Sequence, residues 1–252
     1  MTAITLLTDF GITDSYVAEV KGVLLTRAPA STLIDISHGV PPGDVRSAAY
    51  ILGRTWYRFP EGTVHLVVID PGVGGNRAAL AFQARHHFFV GPDNGVFTPV
   101  LHDTAVEIIA LPTPPSAAPT FHGRDLFAPA AADLARGVSL TTLGTFFPSI
   151  PQRLAVKAPH VEGRAVVGEV VYVDRFGTLI TNLTTELVPM SAKLEVEDLD
   201  LGGLKRTFSD VATGGLLAFV GSGGAIEIAV RDGSAASRLG IGIGARVRAT
   251  VE

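Results

Sequence analysis

The sequence contains no cysteine among its 252 residues, which excludes disulfide bonds and thiolate metal sites. It has no cluster of basic residues, and its formal net charge is −4, so nucleic acid is not expected as a partner. No apolar run approaches the roughly 18 residues of a membrane-spanning helix. The first residues, MTAITLLTDFG, include no basic segment typical of a secretory signal. We therefore expect a soluble, cytoplasmic protein that does not contact membranes.

What the sequence does contain indicates a folded chain. Hydrophobic residues make up 47% and charged residues 17%, a balance typical of globular proteins. Over residues 1–150, apolar strand-like runs alternate with helical patterns, which predicts an α/β domain with a mainly parallel sheet covered on both faces. The predicted strands are 3–8, 31–37, 63–70, 78–91 and 106–111, and the predicted helices are 14–28, 43–59 and 124–137. We expect Asp14 to be the N-cap of the first helix.

The pattern changes after residue 150. Residues 151–159 are expected to form a linker in a Pro-containing segment. Residues 160–252 contain short β-rich runs separated by Gly, Asp and Ser, which predicts a smaller antiparallel barrel or sandwich.

Two predicted strands of the first domain end on a carboxylate: Asp9 follows AITLLT, and Asp70 follows TVHLVVI. In open α/β sheets, ligands bind beyond the carboxyl ends of the strands. The Gly-rich stretch PGVGGNR after Val-Val-Ile-Asp lacks the lysine and hydroxyl of a phosphate-binding loop. Its glycines instead favour a tight turn or a close backbone approach to a ligand.

Two further residues of the first domain have side chains suited to chemistry. Arg77 closes the Gly-rich stretch, and His122 lies at the start of a predicted helix in TFHGRDLF. With Asp70 they would supply a carboxylate, a fixed cation and a titratable imidazole, which can orient and polarise a water molecule. A metal site that uses Asp9, Asp70 and His122 is an alternative. Acyl chemistry on a serine is disfavoured, because the domain has no GxSxG motif.

Six ordered motifs extend over essentially the whole chain, and together they resemble one family. The family is that of the S-adenosyl-L-methionine (SAM) hydroxide adenosyltransferases, or SAM hydrolases, which are similar to the SAM-dependent fluorinase and chlorinase. The motifs are TDFGITDSYVAEVKG, VIDPGVGGNR, GPDNGVF, TFHGRDLFAPAAA, VDRFGTLITN and GSGGAIEIAVRDGSAASRLG.

The resemblance implies a reaction in which water or hydroxide attacks C5′ of the SAM ribose and releases methionine and adenosine. The family's catalytic set falls on Asp70, Arg77 and His122. The halogenases carry tyrosine in place of Asp70, and the fluorinase carries Tyr-Ser in place of His122-Gly123. At both positions the chain resembles the hydrolases. Which of the three residues is the base stays open at this point.

The resemblance also implies the substrate contacts. Asp9 would bind the ribose hydroxyls, the methionine end would contact Asp14, Asp174 and Ser222, and the adenine would lie against Phe176 and Phe208. SAM would be the substrate and no cofactor or metal would be needed. The family assembles its sites in a homotrimer, between the first domain of one subunit and the second domain of its neighbour.

Two positions depart from the family's pattern. Thr178 stands where an asparagine usually contacts the adenine, and Gly43 stands where relatives place an aromatic residue. A SAM-dependent halogenase and a non-catalytic SAM- or adenosine-binding protein are the alternatives to a hydrolase.

Overall fold

The computed structural model describes residues 2–101 and 106–251. It divides the chain into two compact units, Met1–Leu154 and Ala155–Glu252. The domain boundaries expected from the sequence, 1–150 and 160–252 with a linker at 151–159, stay a prediction. No helix among the described residues combines the length and the apolar character needed to cross a membrane.

The described part of the first unit contains one sheet and three α-helices. The strands are β1 (Ala3–Thr8), β2 (Thr32–Ser37), β3 (Val64–Val68), β4 (Ala79–Ala84), β5 (His87–Pro92), β6 (Ile108–Ala110) and β7 (Thr145–Phe146), and the helices are α1 (Tyr16–Arg27), α2 (Val45–Thr55) and α3 (Ala128–Ala135). Their order in the sheet is β2-β1-β3-β5-β4-β6-β7.

Strand directions confirm the predicted α/β class. The strands β2, β1, β3 and β5 are mutually parallel, and β4 is antiparallel to both β5 and β6. Because β7 is antiparallel to β6, five of the seven strands run in one direction. The sheet is therefore mainly parallel, with an antiparallel extension at one side.

The sheet buries apolar residues on both faces, as a doubly covered sheet requires. Alternate side chains along a strand point to opposite faces. Leu6 and Leu66 accordingly belong to a core cluster with residues of α1 and α3. Leu7 and Val67 belong to a second cluster with residues of α2. The two clusters hold β1 and β3 side by side in the centre of the sheet.

Two local predictions in this unit are wrong. Asp14 does not cap the first helix, which begins at Tyr16 after Ser15 at the N-cap position. The Ser15 hydroxyl instead donates a hydrogen bond to Glu19 (2.7 Å). The run 78–91 is a hairpin and not one strand, because Arg85 and His86 adopt positive φ angles of 47° and 65° between β4 and β5. His86 therefore lies in a turn.

The second unit is antiparallel, as predicted, and its sheet is nearly closed. Its strands are β8 (His160–Glu162), β9 (Ala165–Val173), β10 (Leu179–Thr184), β11 (Lys193–Val196), β12 (Leu199–Gly203), β13 (Leu216–Val220), β14 (Ala225–Val230) and β15 (Arg246–Thr250), with one short helix, α4 (Ala235–Leu239). The order is β12-β11-β15-β9-β10-β14-β13, and β8 pairs with β9. A bridge between Lys205, just after β12, and Phe219 of β13 brings the two edge strands together. The interior is apolar.

Candidate active site

A cavity of about 380 Å³ lies in the first unit, at the carboxyl ends of β1 and β3. These strands are neighbours, with Thr8 opposite Val68, so the residues that follow them lie at one edge of the sheet. Asp9 follows β1 directly and Asp70 follows β3 after one residue. The residues lining the cavity are Asp9, Phe10, Pro42, Gly43, Val68, Asp70, Pro71, Val73, Thr120, Phe121, His122 and Gly123.

Asp70 and Arg77 form a buried ion pair at this cavity. Arg77 Nε lies 3.0 Å from both carboxylate oxygens of Asp70, and Arg77 Nη2 lies 2.5 Å from Oδ2. Their side chains are only 6% and 9% exposed. The guanidinium also lies 5.2 Å from the centre of the Phe127 ring, a cation–π contact. This bidentate geometry holds both side chains in one orientation.

His122 is the third member of this group and is 5% exposed. Its Nδ1 lies 2.8 Å from Arg77 Nη2. A guanidinium only donates hydrogen bonds, so Nδ1 accepts and the ring proton resides on Nε2. Burial, with the Arg77 charge as a second cause, lowers the pKa of His122 below its usual value of 6.5. His122 is therefore neutral around pH 7.

The Gly-rich turn explains how Arg77 returns to Asp70. Gly74 has a φ of +74°, and a Cβ built on it would lie 2.4 Å from the carbonyl oxygen of Pro119. Any larger residue would push the 119–122 segment away from the turn. The glycine thus allows the two loops that carry Arg77 and His122 to touch. The side chain of Asn94 donates to the Ile69 carbonyl (2.8 Å) and anchors the residue that precedes Asp70.

Asp9 is half-buried and already has one partner. The backbone N–H of Gly43 donates to its Oδ2 over 2.8 Å. Gly43 has a φ of +74°, a conformation that favours glycine. One of the two departures from the family's pattern is therefore placed here: Gly43, which lacks the relatives' aromatic side chain, orients Asp9 through its backbone N–H.

Sequence reasoning missed the aromatic wall of the cavity. The ring centres of Phe10 and Phe121 lie 5.9 Å apart, and those of Tyr16 and Phe121 lie 5.3 Å apart. Phe10 and Phe121 line the cavity and are adjacent in sequence to Asp9 and His122. That adjacency, in TDFG and TFHG, was the available signal.

The second unit contains Phe176 and Phe208, which are expected at the adenine, and Asp174, which is expected at the methionine end. The Asp174 carboxylate accepts hydrogen bonds from the N–H groups of Phe176 (2.9 Å) and Thr178 (2.8 Å), which closes the turn between β9 and β10. Phe176 is 76% exposed. Thr178 is buried. Phe208 is 43% exposed, and its ring centre lies 4.9 Å from that of Phe219.

Of the residues expected at the methionine end, Asp14 belongs to the first unit, and Asp174 and Ser222 belong to the second. Asp14 is exposed in the segment before α1. Ser222 is exposed in the turn between β13 and β14. Because Leu179 pairs with Ile228 and Thr184 with Ala225, that turn and the Asp174 turn lie at opposite ends of β10. The structure thus does not bring Ser222 next to Asp174.

Within residues 2–101 and 106–251, no group of three or more His, Asp or Glu side chains is arranged to hold a metal ion. The chemistry of the cavity agrees with this finding. The carboxylate of Asp70 and the Nδ1 atom of His122 both face the Arg77 guanidinium, which occupies the position where a cation would bind.

Comparison with known proteins identifies the family of this chain. Residues 4–144 match the SAM hydroxide adenosyltransferase N-terminal domain, and residues 168–248 match the C-terminal domain. A protein of Thermus thermophilus named (R)-S-adenosyl-L-methionine hydrolase is 42% identical, with 98% of this chain and 99% of that protein covered. A fluorinase of an Actinoplanes species is 28% identical over 71% of each chain.

A solved structure shares the fold. The crystal structure of an uncharacterized conserved protein from Thermotoga maritima superposes with a TM-score of 0.90 at 36% identity, covering 98% of this chain and 100% of that one. Since the two domain matches cover most of the sequence in the order of its two units, the chain belongs to the SAM hydroxide adenosyltransferase family.

Proposed function

We propose that this protein is an enzyme that hydrolyses S-adenosyl-L-methionine to adenosine and L-methionine. Membership of the family and the 42% identical hydrolase support the reaction. The observation that carries the proposal for the site is the buried contact of Asp70 and His122 with Arg77 beside a cavity that also contains Asp9.

The reaction has a simple chemical requirement. A water oxygen forms a bond to C5′ of the ribose while the C5′–S bond breaks, and the sulfonium leaves as a neutral thioether. No acid is needed to protonate this leaving group, and no metal is needed to stabilise it. The enzyme must instead position a water molecule in line with the C5′–S bond and accept its proton. Positioning of this kind contributes up to roughly 7–11 kcal/mol.

The geometry favours distinct roles for the three residues. We infer that Asp70 is the proton acceptor, because it is the only anion of the group. Its Oδ1 accepts one hydrogen bond from Arg77 whereas Oδ2 accepts two, so Oδ1 has free lone pairs. His122 has its Nδ1 engaged by Arg77, and its Nε2–H can donate a hydrogen bond to the oxygen of the attacking water. Arg77 orients both side chains and favours hydroxide electrostatically.

The substrate contacts are proposed by analogy with the family and by chemistry. The Oδ1 atom of Asp9, which the Gly43 bond leaves available, accepts a hydrogen bond from the ribose diol. Phe176 and Phe208 stack on the adenine, and their exposure supports a binding role, because a large apolar side chain gains by being covered. Asp14 and Asp174 are proposed for the methionine ammonium. Ser222 lies at the opposite end of β10 from Asp174, so the contact of Ser222 with the carboxylate of the same methionine is left out of the proposal.

We also propose a homotrimer in which each site combines the first unit of one subunit with the second unit of its neighbour. The supporting observation is a division of residues. The cavity beside Asp70 is lined by residues of the first unit, whereas Phe176, Phe208 and Ser222 are exposed on the second. A head-to-tail contact between identical chains closes into a ring when the rotation permits it. A cytoplasmic location is proposed as well, since SAM is a cytoplasmic metabolite.

A halogenase is the second candidate, supported by the fluorinase relative. Two observations disfavour it. The fluorinase is less similar than the hydrolase, and Asp70 supplies a proton acceptor, which attack by water requires and attack by a halide ion does not. A protein that only binds SAM would not need a buried Asp–Arg–His group, because buried ion pairs contribute little to stability.

Incubation of the purified protein with SAM tests these alternatives, with and without EDTA and with and without fluoride or chloride. Chromatography should show equal amounts of adenosine and methionine in every condition. A 5′-halogenated nucleoside would identify a halogenase, loss of activity with EDTA would identify a metal-dependent enzyme, and bound but unchanged SAM would identify a binding protein. Any of these three results contradicts the proposal.

A further inference from the structure

Two buried residues, Thr8 and His38, hold the loop that carries Asp9. The Phe10 N–H donates to Thr8 Oγ1 (3.3 Å), and the Gly11 N–H donates to the His38 carbonyl (2.8 Å). Thr8 Oγ1 and His38 Nδ1 lie 2.8 Å apart. Thr8 is 1% and His38 7% exposed. The side chain of one residue and the backbone of the other thus fix residues 10 and 11, on the carboxyl side of Asp9.

The directions of these hydrogen bonds follow from their burial. The Thr8 oxygen accepts the Phe10 N–H, and its own proton then needs an acceptor, which Nδ1 of His38 provides when the ring proton is on Nε2. The opposite tautomer would donate from Nδ1 and leave the buried Thr8 proton without that acceptor, which is costly. The ring proton of His38 therefore resides on Nε2. That atom lies 3.1 Å from Asp35 Oδ1, within the distance of an ion pair, but the contact does not meet the geometry of a hydrogen bond.

Asp35 connects this arrangement to a cation. Lys21 Nζ of α1 lies 2.6 Å from Asp35 Oδ2. A continuous series of side-chain contacts therefore connects Lys21, Asp35, His38 and Thr8. It ends at the Phe10 N–H, next to Asp9. None of these four side chains lines the cavity among the described residues, so they act on Asp9 only through the loop.

We infer that Thr8 and His38 are positioning residues for ribose recognition by Asp9. The inference rests on the proposed function, since it takes Asp9 as the ribose contact. The Gly43 N–H holds Oδ2 of Asp9 from one side. Thr8 and His38 hold the backbone of residues 10 and 11, which follow Asp9. Together these contacts keep Oδ1 of Asp9 in place for the diol. Loss of the pair should weaken recognition of the 2′-hydroxyl while the Asp70, Arg77 and His122 contacts remain.

The same strand provides a matched control. Thr5 of β1 is also buried, and its Oγ1 lies 2.8 Å from Nδ1 of the buried His65. This second threonine–histidine pair has the same chemistry but does not contact the loop at Asp9. Thr5→Val and Thr8→Val each remove one buried hydroxyl at nearly constant shape. The two variants should lower stability similarly, but only Thr8→Val should change the binding of nucleosides.

The experiment measures Kd for adenosine and 2′-deoxyadenosine by calorimetry, and kcat and KM for SAM, on folded variants. Thr8→Val should weaken adenosine binding and raise KM by about tenfold, with kcat changed less, and should reduce the preference for adenosine over its 2′-deoxy analogue. Thr5→Val should leave all these values within about twofold. Equal effects of the two variants would overturn the inference.

A second pair of variants tests His38 directly, and serves also if Thr8→Val does not fold. His38→Asn places an amide at the position of Nδ1, whereas His38→Gln places one at the position of Nε2. The asparagine variant should retain the preference for adenosine, and the glutamine variant should lose it. Identical behaviour of the two would overturn the inference. Its failure differs from failure of the proposed function, in which the wild type does not hydrolyse SAM or Asp9→Asn does not alter the preference for adenosine.

Discussion

Arg77 Nη2 donates a hydrogen bond to Nδ1 of His122 over 2.8 Å, so the ring nitrogen nearest the ion pair carries no proton. This single contact limits the chemistry available to the histidine. Protonation of Nδ1 would place two donors against each other in a buried position. His122 can donate from Nε2 without disturbing Arg77, but it can accept a proton only by breaking that contact.

The first prediction concerns the pH dependence of turnover. The pKa of His122 is lowered by burial and by Arg77, so its neutral form persists as the pH falls below 6.5. We expect kcat/KM to stay high down to about pH 6.5 and to lose half its value below that pH, when His122 becomes protonated. Steady-state kinetics between pH 5 and 9 would measure it. A half-loss above pH 6.5, or a profile unchanged in His122→Asn, would contradict the assignment.

The second prediction separates chemistry from stability at the ion pair. Asp70→Asn should lower kcat by a factor on the order of 10²–10⁴, since it removes the proton acceptor, and should alter the Kd of adenosine little. Asp70→Ala should also destabilise the protein by about 3–5 kcal/mol, because Arg77 is left buried and unpaired. The double variant Asp70→Leu/Arg77→Met should regain much of the stability but no activity. Recovery of turnover in the double variant would exclude the proposed role.

The third prediction concerns the ribose. Asp9→Ala should mainly weaken nucleoside binding, because it leaves a buried hydroxyl unpaired at a cost of roughly 1–3 kcal/mol. A 2′-deoxy analogue of SAM should then lose less affinity on this variant than on the wild type. Calorimetric titration of both ligands would show the difference. Equal losses on the two proteins would remove Asp9 from the ribose.

The fourth prediction tests the shared site. Asp70→Ala chains and Asp174→Ala chains should each be inactive, and a refolded mixture should regain activity. Each interface that joins an intact first unit to an intact second unit would form one complete site. Mass spectrometry of intact oligomers should confirm that the chains have mixed. Mixed trimers without activity would show that each chain builds its site alone.

The fifth prediction concerns stability and lies away from the site. Burial, with the charge of His87 as a second cause, lowers the pKa of His65 to about 3. The folded state therefore resists a proton that the unfolded chain binds near pH 6.5, and stability is lost as the pH falls from there towards 3. Between pH 7.5 and 5.5 this single group should account for about 1.4 kcal/mol of lost stability.

Urea denaturation at the two pH values would measure this loss. His65→Asn keeps a group at the position of Nδ1 to meet the Thr5 hydroxyl but removes the titration. Its free energy of unfolding should depend less on pH than that of the wild type, by about 1.4 kcal/mol. An unchanged dependence would mean that His65 is not the group responsible.

The sequence by itself determined the fold class and predicted where the candidate site lies. Apolar runs with the periods of strands and helices predicted the α/β unit and the antiparallel unit, because burial of one or both faces leaves a pattern in the residues themselves. Asp9 and Asp70 were recognisable as strand ends, and parallel strands bring their carboxyl ends to one edge. The hairpin at Arg85 and His86 was missed, because a turn of two non-glycine residues with positive φ leaves little signal in the sequence.

Only the tertiary structure decided how the side chains are used. Spacing shows that Arg77 follows Asp70 by seven residues, but not that its guanidinium contacts both Asp70 and His122, 45 residues further along the chain. The tautomer of His122 and the hydrogen bond from Gly43 to Asp9 likewise depend on which donors meet which acceptors in space. Hydrogen-bond direction is a property of atoms at about 3 Å, and residues distant in sequence reach that separation only after the loops have packed, here where Gly74 meets Pro119.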